Sequence, residues 1–192
     1  TMVNIGNSMG VKTVAVLTDM DQPLGKTIGN SLEIKECISA LRGQWADDLR
    51  EVTLTLGAWM IETATMVSDF SLHIGGRDFR GIDEYKKGLL ELLNNGAAFK
   101  KFAEMVDSQH GNPEIPFRPG LLPSAKMMKQ ITVTREGYIQ RLDAEKAGIA
   151  SMLLGAGRQK LDDTIDPSAG IILNKKVGDY VKPGDQTAMF YY

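Results

Sequence analysis

Four of the seven prolines fall within one short stretch, Gly111 to Pro123. Proline lacks a backbone donor and clashes with the preceding helical turn, so neither a helix nor a central strand can run through such a segment. Residues 111–128 therefore read as a proline-rich linker or extended crossing segment. They separate a helix-rich part, residues 1–110, from a smaller part, residues 129–192.

The first part opens on Thr1-Met2-Val3. A leading threonine can serve as an N-terminal nucleophile; a cut chain is the plainer reading. Thr13-Val-Ala-Val-Leu-Thr18 is short, apolar and β-branched, the pattern of a strand buried on both faces of a parallel sheet. The loop Asp19 to Gly25 follows. Asn30 can cap a helix whose Ile34, Cys37, Ile38 and Leu41 form one stripe, with Gly43 just past its end. Asp48 and Glu51 have capping-box spacing, opening a helix with Leu49, Val52, Leu56, Trp59, Met60, Ala64 and Val67 on one side. His73 to Arg77 reads as a loop. Ile82 to Leu93 is a third helix, broken at Asn94-Asn95-Gly96, and Phe99, Phe102 and Val106 continue as a shorter one.

The second part changes character. Gln130 to Thr134 alternates as a half-exposed strand does. Tyr138-Ile139, Gly170 to Leu173, the neighbourhood of Val181 and Thr187 to Tyr192 read as further strands. Asp143 to Leu154 is a helix stopped by Gly155-Ala-Gly157. The fold class is mixed α/β (α+β): part of a larger α/β domain with several helices, then a small domain of antiparallel strands resembling a barrel-sandwich.

Composition narrows the function classes. Lys plus Arg is 22 against 24 Asp plus Glu, a net charge of −2, so no basic surplus exists to bind nucleic acid. No apolar run is long enough to span a membrane. One cysteine, Cys37, excludes an internal disulfide framework and fits a reducing, cytoplasmic setting. The only histidines are His73 and His110, neither beside a partner Cys or Ser, which makes a Ser-His-Asp triad or a His-based zinc site improbable on supply.

Four local patterns invite chemistry. Gly155-Ala-Gly157-Arg158 has the residues of a phosphate loop, yet the glycines end a helix instead of opening one, as a C-cap does. Asp162, Asp163 and Asp166 could face a cation, but their spacing is not that of an EF-hand and suits a solvated acidic turn. The Gly178-Asp and Gly184-Asp rhythm is that of biotin- and lipoyl-carrier hairpins, without a lysine following the second pair; Lys146 lies elsewhere. Glu33 and Glu36 share a helical face, so paired carboxylates are possible, with an exposed face as the plainer reading for Glu33. No catalytic constellation emerges from these residues.

Longer motifs carry a resemblance. Ala15 through Glu36, including Thr18-Asp-Met-Asp-Gln-Pro-Leu-Gly25, resembles a signature of the pyrimidine-nucleoside phosphorylases, which include thymidine phosphorylase. Asp48-Leu-Arg-Glu-Val-Thr-Leu-Thr-Leu-Gly57, Gly96 to Phe102, Met152 to Arg158, Asp163-x-Ile-Asp166, Gly170 to Leu173 and Lys175-Lys-Val-Gly-Asp179 resemble later motifs of that family, in family order. The resemblance implies a C-terminal half. The family's Lys-His-Ser motif, its phosphate loops and the groups that grip the pyrimidine have no counterpart here, so no catalytic or substrate-binding residue is assigned.

The implied parent reaction is phosphorolysis, with phosphate as co-substrate of a pyrimidine nucleoside, in an enzyme that is usually a homodimer. No organic cofactor is implied. The resemblance does imply half of a potassium-like cation site: the carbonyls of Leu24 and Thr27 and the carboxylate of Glu36. Thr27 stands where alanine is usual, a change to which a carbonyl ligand is indifferent. The Asp19 to Gly25 loop would lie near the parent's substrate cleft. A stand-alone, non-catalytic relative acting as a binding or assembly module is the competing reading.

Overall fold

The computed structural model describes residues 1–192. Its helices are α1 (Met2–Ser8), α2 (Asn30–Leu41), α3 (Asp47–Val67), α4 (Ile82–Asn94), α5 (Ala97–Ser108) and α6 (Ala144–Ser151). Its strands are β1 (Thr27–Ile28), β2 (Leu72–Ile74), β3 (Arg77–Phe79), β4 (Met128–Thr132), β5 (Gly137–Tyr138), β6 (Gly170–Leu173), β7 (Tyr180–Val181) and β8 (Gln186–Tyr191). All strand pairs are antiparallel. The chain is a mixed fold of helices and small antiparallel sheets. No helix is long and apolar enough to cross a membrane.

Two small cores hold it. In the helical part α3 lies against α4, and the β2–β3 hairpin closes over them, burying Ala58, Phe79 and Tyr85 among Ile61, Leu72, Ile74, Ile82 and Leu89. In the second part a four-stranded sheet runs β1-β6-β8-β4. Ile171, Leu173 and Ala188 of this sheet are buried against Ala150 of α6, Leu142 and Leu154.

The four-stranded sheet stitches the chain together. β1 precedes α2, yet it pairs with β6, placing Thr27 opposite Ile172 and Ile28 opposite Ile171. Gly29 and Gly170 sit at this junction with φ of 141° and 154°. A Cβ on Gly29 would overlap the Ala169 carbonyl oxygen, and one on Gly170 would overlap that of Ile28. Only glycine permits this approach. The Ser31 amide then donates to Pro167 O at 2.9 Å, and the Ser151 hydroxyl to Ile28 O at 3.0 Å.

The proline-rich stretch is fastened rather than loose. Pro116 is fully buried. Its carbonyl accepts from the Arg42 guanidinium at 2.8 Å, and the same guanidinium stacks 4.8 Å from the Phe99 ring centroid. Phe99 meets Phe117 edge-on at 5.4 Å.

Several local expectations hold. Helices end at Gly43 and Gly96, both with positive φ, and α6 starts on Asp143, whose carboxylate accepts from the Lys146 amide at 3.1 Å. Others need correction. Residues 13–18 form no strand, and Leu17 is 96% exposed. A doubly buried strand needs a ladder partner on each side, and no segment of this chain pairs with this one. Residues 73–77 belong to the β2–β3 hairpin. Gly29, not Asn30, occupies the N-cap of α2.

The apolar stripes of α2 and α3 are also displaced. In α2, Leu32, Ile38 and Ala40 are buried, while Ile34 and Cys37 are exposed. In α3 the buried positions are Leu54 and Ala58, whereas Leu56, Met60 and Val67 are exposed. α3 is apolar nearly all round, so periodicity alone cannot choose the face that α4 covers. Asp48 does not form a capping box, because α3 begins one residue earlier with Ala46 at its N-cap.

Two substitutions test this account. Phe79→Ala should cost about 3–5 kcal/mol in urea unfolding, the usual range for emptying a buried aromatic site. Gly170→Ala should cost at least about 2 kcal/mol through a disallowed backbone and a lost β1–β6 contact; an unchanged midpoint would refute the role given to that junction.

Candidate functional site

The turn Gly25–Thr27 carries the densest polar network joining the two parts of the chain. It enters β1 from the Asp19–Gly25 loop and packs against Glu36, in the second turn of α2. The Glu36 carboxylate accepts from the Lys26 amide at 2.8 Å, the Thr27 amide at 3.1 Å and the Thr27 hydroxyl at 2.6 Å. A Cβ on Gly25 would lie 2.9 Å from Glu36 Oε2, so glycine lets the backbone close on the carboxylate. The Thr27 side chain is thus part of the turn's hydrogen bonding. Glu33 is exposed but not idle: it accepts from the Gly29 amide at 3.0 Å, satisfying a donor at the start of α2.

Lys176 holds the same turn from the other side. Its ammonium donates to the carbonyls of Pro23 and Gly25, the latter at 2.7 Å, and pairs with Asp48 Oδ2 at 2.8 Å. The Lys176 side chain is only 17% exposed. A second link lies beside it, where the Val177 amide donates to Gln22 Oε1 at 3.2 Å. Asp48 sits in the first turn of α3, where the helix dipole favours a carboxylate. Partial burial pushes its pKa up, but the Lys176 hydrogen bond and charge, with the Leu49 and Gly25 amides, outweigh this and hold it below the ordinary carboxylate range.

The structure therefore brings Thr27 and Glu36 into direct contact, with Leu24 one residue before the turn. The Leu24 carbonyl takes no hydrogen bond. A cavity of about 390 Å³ opens beside Leu24, Asp19 and Asp48, and one of about 550 Å³ beside Thr27, Glu36 and Trp45. The arrangement presents oxygen ligands on a braced turn, and its one hydroxyl–carboxylate pair, Thr27 with Glu36, is engaged in holding that turn.

The remaining patterns resolve as local structure. Gly155, φ 110°, terminates the helical turn Met152–Ala156. Asp163 accepts from the Gln159 and Lys160 amides, and Asp166 from the Ser168 amide and hydroxyl. His73 pairs with Asp78 across the exposed hairpin at 2.9 Å. His110, φ 60°, ends α5, where the following Gly111 amide bonds Val106 O at 2.8 Å. Lys176, Asp48 and Gln22 were not legible as a site, because their partners lie far away in sequence. The signal each leaves in the sequence is its place in a family-like motif: Gln22 in Thr18 to Gly25, Asp48 in Asp48 to Gly57 and Lys176 in Lys175 to Asp179.

Because the Asp48 pKa is lower folded than unfolded, its contribution to stability is full above about pH 4 and is lost as pH falls through the folded value. Asp48→Asn should destabilise the chain by about 1–2 kcal/mol at pH 7. The gap to the wild type should narrow below about pH 4 in urea titrations. A gap constant with pH would contradict the ion pair.

Residues 138–192 match the family model of the pyrimidine nucleoside phosphorylase C-terminal domain. The chain is 42% identical over 184 residues to a pyrimidine-nucleoside phosphorylase of Staphylococcus epidermidis, 42% to one of Staphylococcus haemolyticus and 40% to one of Staphylococcus aureus. Each alignment covers 96% of this chain and 40% of the relative, so the chain spans well under half the length of the curated relatives it matches. In sequence, this chain corresponds to the C-terminal part of the pyrimidine-nucleoside phosphorylase family and carries that family's C-terminal domain.

Proposed function

We propose that this chain is the C-terminal part of a pyrimidine-nucleoside phosphorylase. The observation that carries the reading is the 42% identity running through 96% of the chain, not through one motif. In the parent reaction phosphate attacks the anomeric carbon of uridine or thymidine. The pyrimidine base leaves, and a ribose or deoxyribose 1-phosphate forms. Such a reaction needs an oriented phosphate and stabilisation of the negative charge growing on the base. Residues of those types in contact are not found in this chain, so its role is to complete the parent's fold and the Asp19–Gly25 side of its cleft.

In this reading residues 1–110 are part of the parent's larger α/β domain, 111–128 cross between domains, and 129–192 form the C-terminal domain. The parent is a homodimer of the cytoplasm, working on small molecules and not on nucleic acid or membranes. The exposed apolar residues Leu17, Met20, Leu56 and Met60 support a larger packed body that would cover them.

Leu24, Thr27 and Glu36 would supply half of a monovalent cation site. The donor chemistry fits: all three offer oxygen, the Leu24 carbonyl is free of hydrogen bonds, and Glu36 is held in place by Lys26 and Thr27. The bound cation would supply a fixed positive charge beside the parent's phosphate loop.

The purified 192-residue chain should release no uracil from uridine in the presence of phosphate. The product of the reading frame extended upstream of the Thr1 codon should release it. Turnover by the short chain, or none by an extended product carrying Lys-His-Ser and glycine-rich loops, would overturn the reading. A start codon immediately upstream would favour a stand-alone binding or assembly module.

A further inference from the structure

We propose that Lys176 is a positioning residue: from the C-terminal domain, its ammonium sets the Pro23–Thr27 turn against Glu36. It thereby fixes the relation between the oxygens of Leu24, Thr27 and Glu36. The inference rests on reading those oxygens as a cation half-site, but the geometry of the turn stands apart from it.

An ammonium has three donors, and Lys176 meets three acceptors from two distant segments: Pro23 O, Gly25 O at 2.7 Å and Asp48 Oδ2 at 2.8 Å. Its side chain is largely sheltered from water, which strengthens bonds to a charged donor. Its own backbone is fixed in turn, since the Lys176 amide donates to Asp179 Oδ2 at 2.8 Å.

The turn is therefore gripped by opposite charges on its two kinds of backbone group. Lys176 takes the carbonyls of Pro23 and Gly25; Glu36 takes the amides of Lys26 and Thr27. The carbonyl between the two gripped ones, that of Leu24, is left free. Without the Lys176 ammonium, the Pro23 and Gly25 carbonyls would face the Asp48 carboxylate with no positive charge between them, and the turn would lose its one charged hold opposite Glu36. A surface lysine would merely decorate the loop; this one joins the C-terminal domain to it.

The test uses the ¹⁵N-labelled 192-residue chain. Amide-resolved hydrogen exchange is read at Lys26 and Thr27, with Tyr85 of α4 as the remote reference. Potassium chloride is titrated while the same amides are followed, against sodium chloride. Lys176→Met keeps the stem and removes the charge; Lys129→Met, on exposed β4, is the control. Lys176→Met should speed exchange at Lys26 and Thr27 by about tenfold or more, leaving Tyr85 unchanged. It should also weaken the potassium response by about tenfold. Lys129→Met should change neither.

Converting Lys176→Cys, in a Cys37→Ser background, to an aminoethyl thioether restores an ammonium at the same reach and should restore protection. Wild-type protection at Lys26 and Thr27 in Lys176→Met overturns the proposal, and so does faster exchange spread equally to Tyr85, which would mark a general loss of stability. If Lys176→Met does not fold, Lys176→Gln carries the test. Its shorter, neutral amide lacks the charge and the three donors of an ammonium, so wild-type protection there overturns the proposal and a local loss supports it. If the wild-type amides ignore potassium, the cation reading fails, while the exchange data still decide the role of Lys176.

Discussion

The Glu36 carboxylate is the group around which the N-terminal loop is organised. A turn that leaves the surface must find acceptors for its amides, and Lys26 and Thr27 find theirs on this one side chain. Its position follows from α2, whose start is in turn fixed where Gly29 meets Gly170. From there the register of β1 on β6, the Leu173 amide bond to Lys26 O at 2.7 Å, and the reach of Lys176 onto Pro23 and Gly25 are coupled. A shift at any of these points would move the others.

That coupling makes the boundary suggested by the prolines a boundary in sequence more than in space. Along the chain the segment 111–123 follows the first five helices and three short strands and precedes the other five strands. Yet β1 lies in the same sheet as β4, β6 and β8, and Arg42 of the first part anchors Pro116 of the crossing segment. Backbone hydrogen bonds across a sheet edge and a sheltered ion pair are directional, so they bind the parts in one orientation where apolar contact alone would allow sliding.

The apolar surface tells a complementary story. α3 spends Ala58 and Ile61 on α4 and the hairpin, also buries Leu54, and leaves Leu56, Met60 and Val67 exposed. Residues 13–18 have the composition of a buried strand and lie in the open beside α3. Both segments carry patterning for neighbours that this chain does not provide. That agrees with relatives more than twice its length.

The sequence by itself determined the elements whose signals are local: α4 and α5 split at Gly96, α6 opened by Asp143, the strands at Gly170 to Leu173 and near the C-terminus, and the motifs that carry the family. It marked Leu24 and Thr27 only through resemblance and Glu36 also by its helical spacing from Glu33, and it gave the Thr27 side chain no part although its hydroxyl binds Glu36. Tertiary structure alone decided which face of α2 and α3 is buried, that Thr27–Ile28 joins the last strands, and that Asp48 and Lys176 meet. The reason is physical. Caps, breakers and periodicity act within a few residues and can be read along the chain, whereas an ion pair or a covered face depends on segments far apart being brought together.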